Sequence, residues 1–139
     1  MKRQIAGLRA ASDAARLPDG LFLVRVPNMK FQRHAPKPYY MTALIVLEPH
    51  RFAGNVVSSR LYCSPKALWK LNRFLRDFGY DTESIERDEL EERQVLGLQG
   101  VVKISNVVYD GMRLLRSDGF APTSRWEELS PANLEQQAS

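Results

Sequence analysis

The chain has 139 residues, 44% of them hydrophobic and 26% charged, the balance of one soluble globular domain; this excludes a wholly disordered chain, a collagen and a small disulfide scaffold. Its one cysteine, Cys63, excludes an internal disulfide and a cysteine-built zinc site and suits a reducing cytoplasm. The net charge of +4 is unevenly spread, with a surplus of ten positive charges over residues 1–80 and an excess of five negative ones over residues 81–100. The basic half is either solvated surface or the seat of an anionic partner, of which nucleic acid is the commonest.

Residues 1–19 read as an N-terminal helical extension with Ile5, Leu8 and Ala15 on one side, ended by Pro18 and Gly20. They lack the apolar stretch of a secretory signal. From Leu21 the period changes to two. Phe22, Val24 and Val26 alternate with Leu21, Leu23 and Arg25, and Pro27 predicts a bulge, bend or edge. Lys30–Pro38 is rich in charge and proline and reads as a loop. Tyr39–Glu48, apolar on both faces, predicts a central strand. Its run from Met41 to Leu47 is the longest apolar stretch, far short of the roughly 20 residues of a membrane span.

Pro49–Gly54 is a turn, and Asn55–Tyr62 a third strand with Val57 and Leu61 opposite Arg60 and Tyr62. Ser64 and Pro65 suit a helix start, Leu68, Leu71, Leu75 and Phe78 form one apolar stripe, and Gly79 supplies the stop. Lys66, Lys70 and Arg73 lie on another side of that helix. Thr82–Leu96 is acidic and sparsely apolar; it reads as a second helix, a surface insert carrying a Glu89–Arg93 pair. Val101–Val108 and Met112–Arg116 are strands joined by the Tyr109-Asp110-Gly111 turn. Residues 124–139 are a polar, flexible tail, with Trp126 packing it down.

Three strands, a helix and a two-stranded hairpin are the connectivity of the OB-fold, a five-stranded barrel that binds oligonucleotides on strands 2–3 and the flanking loops. Residues 20–123 are the domain on this reading, with residues 64–97 as its helical insert. The stretch also resembles small phage-encoded proteins of a family of unknown function that look like OB-fold single-stranded-DNA-binding proteins. The likeness rests on the opening Gly20-Leu-Phe-Leu-Val-Arg-Val, Val46-Leu-Glu closing the second strand, and the Gly54 turn. Pro65-Lys-Ala-Leu-Trp-Lys-Leu, Leu98-Gln-Gly-Val-Val and the hairpin at Asp110-Gly111 complete it. It covers about three-quarters of the chain. The proline-rich first loop and the Arg116-Ser-Asp-Gly-Phe segment depart from the pattern. The resemblance implies single-stranded-DNA binding in phage or prophage replication or recombination.

Catalytic groups are scarce. His34 and His50 fall in loops with no ligand at metal spacing, the carboxylates crowd onto one solvated segment, and no glycine-rich phosphate loop exists. Cys63 precedes a helix start, where a thiol can be activated, but reads as a small packed residue. The expectation is a protein with no enzymatic activity, cofactor, metal or membrane span. Cations interleaved with aromatics suit single-stranded DNA, with RNA as the alternative strand, held by backbone charge and base stacking. The residues expected to do this are Arg25, Lys30, Phe31, Arg33, His34, Lys37, Tyr39, Tyr40, Arg60, Tyr62, Lys103, Tyr109, Arg113 and Arg116. Trp69 either stacks a base or caps the core. The alternative reading is a protein–protein adaptor whose acidic insert, residues 82–96, contacts a partner or a second copy.

Overall fold

The period-two segment that starts at Leu21 is the middle strand of a five-stranded antiparallel sheet in the computed structural model, which describes residues 1–6 and 17–129. The strands are β1 (Gly20–Gln32), β2 (Tyr39–Glu48), β3 (Val56–Tyr62), β4 (Gln99–Tyr109) and β5 (Met112–Ala121), in the order β3-β2-β1-β4-β5. Helices α1 (Leu68–Asp77), α2 (Thr82–Glu86) and α3 (Glu92–Val95) connect β3 to β4, and α4 (Trp126–Leu129) follows β5. No helix among the described residues is long and apolar enough to cross a membrane.

Pro27 does what its missing N–H requires. The β1–β2 register shifts between Arg25 and Asn28, and Val26 bonds instead to the segment before β4, through Val26 N–H to the Leu98 carbonyl at 2.9 Å and Gly97 N–H to the Val26 carbonyl at 2.8 Å. The bulge reverses the alternation. Phe22, Val24 and Val26 face the core before it, and Met29 after it. β1 then continues to Gln32, so Lys30 and Phe31 lie on a strand and not in the expected loop, which shrinks to residues 33–38.

The core lies between the curled sheet and α1. Phe74, with no exposed surface, packs its ring 4.4 Å from Phe78 and 5.3 Å from Phe120. Phe78 in turn lies against the backbone of β4 at Gly100, where a Cβ would sit 2.4 Å from the ring. The helix ends at Gly79, whose φ of +83° lets Tyr80 N–H reach back to the Leu75 carbonyl at 2.9 Å. The buried stripe is Leu71, Phe74, Leu75 and Phe78; Leu68, expected in it, is exposed because the regular helix begins only there.

β3 and β5 are the edge strands, and they meet side to side. Ser59 Oγ and Ser117 Oγ are 2.7 Å apart, and Lys70 Nζ of α1 donates to the Ser117 carbonyl at 2.8 Å. The sheet therefore curls toward a barrel but is not closed by a backbone ladder at this seam. Asp110 and Gly111, at φ +51° and +76°, form the two-residue turn that pairs Tyr109 with Met112. β5 runs on past Arg116 to Ala121 because a register shift after Lys103 restores its pairing with the start of β4.

Further expectations need correction. The acidic segment is two short helices, broken where Asp88 takes φ +57°. Arg87 there pairs with Glu83 and Glu89 in place of the expected Glu89–Arg93 contact. It is also no surface insert: Val95 is fully buried, Ser84 is buried, and the Tyr80 hydroxyl accepts the Glu91 N–H at 3.0 Å. Finally, the polar tail is structured at its start, since residues 123–129 form a turn and α4 beside Leu21, Val101 and Lys103. Leu17 is 1% exposed and its carbonyl accepts from Asn106 at 3.0 Å, so the end of the N-terminal extension belongs to the core. The expected helix around Leu8 and Ala15 and the tail beyond residue 129 lie outside the described residues.

Candidate nucleic-acid interface

Period-two geometry on β2 and β3 sends Leu44, Val46, Val57 and Leu61 inward and their neighbours outward. The register pairs Tyr39 with Tyr62 and Met41 with Arg60, so these four side chains share the outer face. The Tyr39 and Tyr62 rings are 5.3 Å apart at 54°, and the Arg60 guanidinium carbon lies 5.0 Å from the centre of the Tyr39 ring. Both separations are those of attractive aromatic and cation–π contacts. The Tyr62 side chain, and after it Tyr39, push the Arg60 pKa up.

Lys30 joins this face because the β1 bulge turns it outward, opposite Met41. Arg25 lies on the same outer side before the bulge, half-buried between Ile45 and Gln99. Arg33, His34 and Lys37 stand exposed in the 33–38 loop. The end of that loop is fixed by Cys63 N–H donating to the Pro38 carbonyl at 3.1 Å, which brings Lys37 beside Tyr62. Among the described residues, none of Arg25, Lys30, Arg33, Lys37, Arg60 and Lys66 is in an ion pair.

The other expected residues separate from this group. Phe31 and Tyr40 are cross-strand partners with rings 4.9 Å apart, and Tyr40 packs against the core. Burial raises the Tyr40 pKa, and the charge of Glu92 is the next cause. Lys103 lies on the far half of the sheet, opposite Leu21 and next to Arg125. Tyr109 and Arg113 are exposed on a β4–β5 ribbon that projects beyond β1, whose pairing with β4 starts at Ile104. Arg116 is paired with Asp118 at 2.5 Å. Asp118 also accepts from Ser105; that bond and then Arg116 hold its carboxyl below the usual range.

Two groups with chemical interest resolve simply. Burial pushes the Cys63 thiol up, the reverse of nucleophile activation. His34 lies in the 33–38 loop and His50 in a single 3₁₀ turn. One feature the sequence left undecided is now clear. Trp69 does not cap the core; it is 68% exposed on α1, on the side away from Phe74 and beside Lys66. Helical spacing was the available signal, since it sets Trp69 nearly opposite the stripe of Leu71, Phe74, Leu75 and Phe78. No protein-family model matches the chain, and no curated protein matches it.

Proposed function

We propose that the protein binds single-stranded nucleic acid, DNA in preference to RNA, on the outer face of β1–β3 and the 33–38 loop, without catalysis. One observation carries this reading: Arg60 over Tyr39 with Tyr62 alongside, on an open sheet face whose cations lack carboxylate partners among the described residues. Aromatic rings offer bases a stacking platform, and unpaired cations neutralise phosphates; the two together are the chemistry of non-specific single-strand binding.

The strand order supports reading the curled sheet as an OB-type barrel, with the β3–β5 seam closed by side chains and Lys70 in place of a ladder. In that fold the outer face of strands 2–3 and the first loop form the binding surface, which is where Tyr39, Arg60, Tyr62 and Lys37 lie. The resemblance to phage-encoded proteins supports a role in phage or prophage replication or recombination. Titration of a labelled oligothymidylate, followed by fluorescence anisotropy, tests the reading. Binding that weakens with salt is expected. No binding at low salt would remove the reading and favour the adaptor, to be pursued by identifying its protein partner.

A further inference from the structure

Past the end of β3 the exposed face does not stop. Tyr62 is a wall of a groove of about 460 Å³ whose other walls include Lys37 from the loop, Lys66 just before α1, and Trp69 and Lys70 on it. Four properties of this groove point the same way. An indole left 68% exposed offers a flat stacking surface that the core does not use. Lys37 and Lys66 are exposed and in no ion pair among the described residues, whereas Lys70 on the same helix is tied to the Ser117 carbonyl. The first turn of α1 holds no acid, so no carboxylate there offsets the charge of Lys37 and Lys66. Tyr62 is common to the groove and to the Tyr39–Arg60 cluster, so the two surfaces are continuous.

We propose that a single strand bound on β1–β3 continues past Tyr62 into this groove, where one base stacks on Trp69 and Lys37 and Lys66 take the adjoining phosphates. The proposal rests on the single-strand reading above and extends it to a helix that OB-type binding does not require. It makes the bound length longer than the sheet face alone would hold.

The test uses Trp69 as its own reporter. Trp126→Phe leaves Trp69 as the one indole, and this protein is titrated with a labelled oligothymidylate of about 20 nucleotides. Label anisotropy reports binding and tryptophan emission reports stacking. Emission is expected to be quenched in step with the anisotropy. Trp69→Ala, at an exposed position, should keep the melting temperature and weaken binding about tenfold. Lys66→Ala should lower the salt slope by about one unit. A rise in anisotropy with unquenched Trp69 emission, or with unchanged affinity in Trp69→Ala, overturns the groove and leaves the sheet-face reading intact. A Tyr39→Ala variant that binds more weakly in that situation identifies the sheet face as the whole site. No rise in anisotropy overturns both.

Discussion

The outer face of β1–β3 and the helical side of the molecule use the same residue types to opposite ends. On the helical side three arginines are paired with carboxylates: Arg73 with Asp77 at 2.7 Å, Arg76 with Glu86 at 3.4 Å, Arg87 with Glu83 and Glu89. Of its aromatics Phe74, Phe78 and Tyr80 are buried, and Trp69, on the opposite side of α1, is exposed. On the sheet face Arg60 lies over a tyrosine, Lys30 and Lys37 have no carboxylate partner among the described residues, and Tyr39 and Tyr62 are half-exposed. Of these pairs Arg76–Glu86 ties α1 to the acidic block of residues 81–100, Arg87 is paired inside that block, and the cations of the sheet face are left without carboxylates among the described residues. Charge asymmetry along the chain becomes charge asymmetry across the molecule.

Changes on the two sides should therefore separate stability from binding. The largest effect is expected at Phe74→Ala, which empties the centre of the aromatic core and should cost about 3–5 kcal/mol in denaturant unfolding, with the affinity of the folded fraction unchanged. Gly100→Ala drives a methyl group into the Phe78 ring and should cost about 1–3 kcal/mol by the same measurement.

Tyr39→Ala reverses the pattern. Losing one stacking surface should weaken single-strand binding about tenfold, while the lost cross-strand contact costs about 1 kcal/mol or less in stability. Arg60→Ala should lower the slope of log affinity against log salt by about one unit, which Tyr39→Ala leaves unchanged. Equal slopes in the two variants would merge roles that the geometry separates.

Asp118 supplies the smallest effect. Its carboxyl lies below its ordinary value in the folded protein, so its contribution is present above the unfolded pKa and is lost as pH falls through the lower folded one. Asp118→Asn should lower stability by about 0.5 kcal/mol or less at neutral pH, because the pair with Arg116 is exposed. The difference should vanish in acid, which melting curves at two pH values can follow.

Much of this was legible in the residues, and each failure has its own physical cause. β2, the β4–β5 turn and the facing of Arg60 and Tyr62 followed from alternation and from Asp110-Gly111, both local signals. The fate of Phe31 and Tyr40 did not, because the Pro27 bulge shifts parity and only the register with β2 shows by how much. Val95 looked like surface because its segment is acidic, yet one buried valine and the Tyr80 hydroxyl are enough to dock that segment. Arg116 read as a free cation because the strand was expected to end there, whereas β5 continues and carries its partner, Asp118, two residues on. Pairings across the sheet carry information that periodicity along one strand lacks.

The central claim is that the sheet face is a single-strand platform, and one titration tests it most directly. Anisotropy of a labelled oligothymidylate is measured against the unsubstituted protein from about 50 to about 200 mM salt, a range over which phosphate contacts reveal themselves. If Lys30, Arg33, Lys37 and Arg60 each neutralise one phosphate, log affinity should fall against log salt with a slope of about −3. Affinity that does not change across that range, or no binding at its lower end, would contradict the account.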